Sequence, residues 1–135
     1  MKNIFLICLL LVCSSPFSAM ADDSDWMYFG DTDSREWHIR KGSFDIETTK
    51  GGDVVASVLT QVKQKNTKQI QFQKWYVSQS DCDKGYGKFV VLTVNNEFVT
   101  ENDFISGGKS VAANGADFIC SLYKGIKNSQ ENKEI

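Results

Sequence analysis

The placing of the cysteines constrains this chain more than any other feature. Two of the four, Cys8 and Cys13, lie in an apolar N-terminal run, MKNIFLICLLLVCSSPFSAMA. Only Cys82 and Cys120 lie in the body of the sequence. The run has the parts of a secretory signal peptide: a basic residue at Lys2, an uncharged stretch from Ile4 to Val12, and small residues at Ala19 and Ala21. Cleavage is expected between Ala21 and Asp22, which assigns residues 1–21 to the leader. The stretch is too short to cross a bilayer, which takes about 20 apolar residues. A lipidated cysteine normally follows a small residue, whereas Val12 precedes Cys13, so a product without a lipid anchor is expected.

Export places Cys82 and Cys120 where thiols oxidise, and as the two remaining cysteines they are expected to pair. Closing a loop of this length stabilises the fold by about 4 kcal/mol in the chain-entropy account. Total stabilities run to about 5–15 kcal/mol, so the share is large. No C-x-x-C pair is present, and the bond reads as a staple rather than a redox catalyst.

The expected mature chain has 114 residues, enough for one domain, with 14 basic and 17 acidic side chains and a formal charge of −3. That balance argues against a dedicated nucleic-acid binder, which must neutralise phosphates. Trp26, Trp37 and Trp75, with the nine phenylalanines of the full chain, supply material for a core. The polar ending KNSQENKEI reads as unstructured. A single domain over residues 22–125 and a flexible tail over 126–135 follow.

Short strands are expected at Trp26–Phe29, at Trp37–Arg40 and, after a turn at Gly42, at Ser43–Ile46. From Val54 to Val62 the alternation of Val54, Ala56, Val58 and Val62 marks one face of a strand. In QIQFQKWYV, Ile70 and Phe72 share one face while Trp75 and Val77 share the other. A bulge near Lys74, or burial on both sides, accounts for that change. Phe89–Val94 is apolar on both faces, as a covered central strand is, and Asn95-Asn96 turns it into Glu97-Phe98-Val99. Hairpin-length connections without helices between them indicate a meandering antiparallel sheet. Only after Ser110, a capping residue, does the period become helical, through Ala112, Ala116, Ile119, Cys120 and Tyr123. Asn114-Gly115 weakens that helix, so packing must hold it. The expected fold class is α+β: an antiparallel meandering sheet with a C-terminal helix joined to it by the Cys82–Cys120 disulfide.

Little in this pattern carries chemistry. His38, the one histidine, has no nucleophile or metal-ligand pattern around it and reads as a strand residue. DTDSRE places Asp31, Asp33 and Glu36 close together, but without the spacing or glycine of an EF-hand, so a polar loop is expected. No phosphate-binding glycine loop or H-E-x-x-H occurs in the mature chain. Catalytic residues, metal ligands and cofactors are therefore not expected. Charge is more informative: between Val54 and Ser80 there are four lysines, Lys63, Lys65, Lys68 and Lys74, and no acid. They form either a partner-binding surface for acidic protein segments or sulfated polysaccharides, or a solvated turn guarding an edge strand.

Order and local pattern then carry a resemblance. A leader precedes the aromatic strand at Trp26, and Ser43-Phe44-Asp45-Ile46 loosely echoes a D-x-x-S-I-like segment. Cys82-Asp83-Lys84-Gly85-Tyr86 matches a strand with a cysteine before an aromatic stretch. Ile105, Gly108, Ser110, Ala112 and Ile119-Cys120 give a turn followed by a small-residue helix ending in Ile-Cys. Over about residues 26–123 the chain thereby resembles the surface-adhesin protein E family of Gram-negative bacteria. The resemblance implies an antiparallel sheet with a C-terminal helix joined by a disulfide. It also implies an adhesin for host matrix proteins such as vitronectin, laminin and plasminogen.

The expected function is that of an exported, non-catalytic binding protein of this adhesin-like kind, in the periplasm or at the cell surface, with a protein partner. The alternative is a periplasmic inhibitor or immunity-type protein that binds a toxin or an enzyme.

Overall fold

A computed structural model describes residues 25–133, and the expected leader and its cleavage site lie outside the described residues. The chain runs through β1 (Trp26–Asp31), β2 (Arg35–Arg40), β3 (Asp45–Thr48), β4 (Val54–Gln64), β5 (Ile70–Ser78), α1 (Gln79–Lys84), β6 (Tyr86–Thr93), β7 (Phe98–Ile105) and α2 (Val111–Glu131). One antiparallel sheet takes the order β1-β2-β4-β5-β6-β7, with β3 also paired to β4. The fold is α+β, with α2 packed on one face of the sheet.

The long central strand β4 organises this sheet. Its inner residues Ala56, Val58 and Val62 are buried with Trp37, Trp75 and Val77 in the core beneath α2. On its other edge β4 meets two strands in turn: Ile39 of β2 lies opposite Thr60, and Asp45 of β3 lies opposite Ser57. The two registers differ by three residues, so β2 and β3 are one strand interrupted by the excursion at 41–44. Gly42, at φ 75°, makes that turn possible without a Cβ clash. The interruption leaves the Leu59 N–H without a strand partner, and the Ser43 hydroxyl accepts it at 3.0 Å while donating to the Arg40 carbonyl at 2.7 Å. A buried amide left open costs about 1–3 kcal/mol, which this hydroxyl prevents.

β5 corrects an expectation. It pairs β4 in unbroken register from Ile70↔Lys63 to Ser78↔Val55, so there is no bulge at Lys74. Nor is it buried on both faces, because Ile70 and Phe72 are about half exposed on the outer face. The apolar face changes because cover changes. Trp75 and Val77 lie inward beneath α2, whereas the inward positions beyond its first turn are Gln71 and Gln73.

α1 also departs from the expected helix-free meander: Cys82, expected on a strand, lies in this short helix. Ser78 accepts the Asp81 N–H as its N-cap, and Gly85 closes it in the left-handed conformation at φ 80°. This single turn and a half carries Cys82 under the sheet's end. Cys82 and Cys120 are bonded there, with Cα atoms 5.3 Å apart, so the disulfide ties α1 at the sheet's end to α2.

Ser110 caps α2 by accepting the Ala113 N–H at 3.0 Å. The helix buries Ala113, Gly115, Ala116, Ile119, Cys120 and Tyr123 against the sheet. Full burial of a side chain such as Ile119 contributes about 1.5–3 kcal/mol. The helix continues to Glu131, so residues 126–131, expected as part of a flexible tail, are helical. Aromatic edges seal the core: Phe89 lies 5.1 Å and Phe29 5.5 Å from Trp75, centroid to centroid.

Candidate functional site

The four lysines do not form one patch. Lys63, Lys65 and Lys68 lie at or beside the β4–β5 turn, which is closed by Gln64 N–H to the Gln69 carbonyl at 2.8 Å. Lys65 is paired with Asp31 at 2.5 Å. That ammonium, with the Tyr28 hydroxyl second, holds the Asp31 carboxyl below its ordinary range. Lys74 lies four residues further along the strand pair, beside Leu59. It is claimed by both Glu47 oxygens at 2.7 Å and by Asn96 Oδ1 at 3.1 Å. Of the four, Lys63 and Lys68 have no ion-pair partner among the described residues.

The face of the sheet opposite α2 is open around Tyr28, Ile70 and Phe72, whereas Val55, Ser57 and Val90 on the same face are buried. Tyr28, His38, Gln61 and Phe72 stand in one cross-strand row, and Lys63 with Ile70 in the next. Phe72 is 50 % exposed, and its ring lies 5.7 Å from that of Trp26. The rings of His38 and Tyr28 meet nearly at right angles, and His38 Nε2 is 2.5 Å from Glu36 Oε1. It has the surroundings of a structural strand residue, with no nucleophile beside it. Among the described residues no cluster of histidine, cysteine and carboxylate side chains is placed to hold a metal ion. No helix of the described residues is long and apolar enough to cross a membrane.

On the α2 face, a cleft of about 340 Å³ opens between the helix's first residues and the hairpin end of the sheet. Its floor is Trp37, Val62, Trp75, Phe89 and Val91; Arg35, Gln64, Gln71, Gln73 and Asn102 surround it, and Val111 and Ala112 close one end. Sequence reasoning missed this site. Its one signal was Gln71 and Gln73 on the face that carries Trp75, a polar continuation of a core stripe.

The fold and its surfaces define a disulfide-stapled α+β domain with one helix-covered and one open sheet face. No protein-family model, characterised protein or solved structure matches the chain.

Proposed function

We propose that this chain is an exported, non-catalytic binding protein of the adhesin-like kind, which takes host matrix proteins on its open sheet face. The observation that carries the reading is Phe72, half exposed on a flat face with Trp26 against it and Lys63 one row away. Aromatic residues are the usual anchors of protein interfaces. Lys63 and Lys68 add the positive charge that an acidic segment meets. Those charges act mainly on association rate and fade with salt over a screening length of about 8 Å.

The test is binding of the purified mature chain to immobilised vitronectin and laminin. Phe72→Ala combined with Lys63→Gln leaves the melting temperature nearly unchanged, since both side chains lie on the outer face and glutamine sets no like charge against Glu36 across the ladder. It lowers affinity at least about tenfold, or 1.4 kcal/mol. A folded double variant that binds like the parent removes this face from the reading. Location separates the two kinds of partner. Digestion by protease added to intact cells supports the adhesin, whereas protection until the outer membrane is opened turns the reading to an inhibitor or immunity-type protein.

A further inference from the structure

We propose that the cleft beside the first turn of α2 binds a linear apolar chain ending in a free carboxylate. The cleft lies on the sheet face opposite Phe72 and does not depend on the docking surface described above. Its volume, about 340 Å³, is in the range of small-ligand sites, roughly 300–1,000 Å³. That is the liquid volume of about eleven waters, so a single chain fits and a folded partner does not.

Register gives the shape. The lining passes from Arg35 on β2, by Gln71 and Trp75 on β5, to Asn102 on β7, so the cleft crosses the sheet obliquely. Five neighbouring strands span about 19 Å at the usual spacing. An extended chain that reaches from Arg35 to Val111 lies across the strands.

The lining gives the chemistry. Trp37, Val62, Trp75 and Val91 belong to the same buried core, so the floor is apolar and already formed without a ligand. No acidic side chain lines the cleft, and Arg35 is its only ionisable group. Among the described residues the Arg35 guanidinium has no carboxylate partner. Its planar fork matches a carboxylate in two parallel hydrogen bonds. Gln64 beside it, with Gln71 and Gln73 along the wall, offers amide donors and acceptors to the polar end. The apolar end then runs over Val62 and Trp37 towards Val111 and Ala112. A fatty acid and the C-terminal end of an apolar peptide share this chemistry.

Titration calorimetry of the mature chain with four probes tests the proposal. The probes are dodecanoate, dodecanol, an apolar hexapeptide with a free C-terminus, and the same hexapeptide amidated. At least one acid is expected to bind tenfold or more tightly than its neutral counterpart. Binding of dodecanoate alone assigns the chain to a lipid source, and binding of the peptide acid alone to a protein end. Arg35 is exposed, so Arg35→Met keeps the fold and removes the preference for the acid. Gln71→Trp, filling the cleft from an exposed position, removes binding altogether. Failure of both acids, equal binding of acid and neutral probe, or an unchanged Arg35→Met variant overturns the proposal. Phe72→Ala leaves acid binding intact, so this site and the open face fail or stand separately.

Discussion

Gly115 of α2 lies directly against Phe89 of β6: a Cβ on this glycine would stand 2.7 Å from Phe89 Cε2 and 3.4 Å from Trp75 Cε3. A glycine in mid-helix costs about 1 kcal/mol in propensity relative to alanine. Here it lets the helix backbone reach the aromatic floor. Packing takes precedence over propensity at this position.

Gly115→Ala is therefore expected to destabilise the protein despite its better helix propensity. Phe89 is 3 % exposed and held by Trp75, so it has nowhere to move. Overpacking of this kind costs about 1–3 kcal/mol. Urea denaturation of the variant reads the change, and a variant more stable than the parent shows that the helix can stand off at no cost.

Removing the staple has a larger effect. Replacing Cys82 and Cys120 together with serine is expected to lose about 2–5 kcal/mol, the usual cost of removing a native disulfide from a small domain. The sulfurs sit within nearly buried residues, 2 % and 6 % exposed. Under native conditions without reductant, alkylation followed by mass mapping should find the peptides containing Cys82 and Cys120 still linked. Two freely alkylated thiols contradict the bond.

Val90 and Val91 test the two faces of β6 separately. Both are 6 % exposed, but only Val91 belongs to the core under α2. Val90 lies on the outer face, between Tyr76 and Glu101 in the cross-strand row. Aspartate at either position is expected to cost several kcal/mol, about 3 or more, through burial of an unpaired charge. Val91→Asp should be the worse of the two. A Val90→Asp variant that melts like the parent shows that water reaches this part of the outer face.

Acid should weaken the α1–β6 junction. Burial pushes the Asp81 carboxyl up, but the Lys88 N–H at 3.0 Å and the Lys84 ammonium at 3.2 Å together outweigh it and lower the pKa. A lowered carboxylate contributes stability above its unfolded pKa, and that stability is lost as pH falls through the folded value. The contribution is thus complete at neutral pH and declines below about pH 4. Asp81→Asn is expected to flatten that part of the stability profile between pH 7 and 2. An unchanged slope assigns the acid sensitivity to other carboxylates.

Much of the fold was legible because its signals are local. The alternation through β4 and the Ser110 cap follow from neighbouring residues, and the cysteine pair from there being two cysteines in the body of the sequence. α1 had a local signal as well, Ser78 three residues before Asp81 and Gly85 after Lys84, but six residues are too few to show a helical period. The face change in β5 was misread because its cause lies elsewhere in the chain, where α2 begins. The interrupted strand β2–β3 depends in the same way on a register that only Thr60 and Ser57 of β4 define. The cleft draws on five strands and a helix, and no contiguous motif names it. Charge was legible as composition but not as availability, because Asp31 and Glu47, which occupy Lys65 and Lys74, come from distant strands.

The disulfide also orders events in time. Cys120 is 38 residues beyond Cys82, and β6, β7 and the start of α2 lie between them. As the chain emerges N-terminus first, all seven strands precede Cys120. The hairpins of a meander close short loops, and closing short loops costs the least entropy. The sheet can thus assemble while Cys82 still has no partner. Oxidation then acts as the closing step, capturing α2 on a template already laid down.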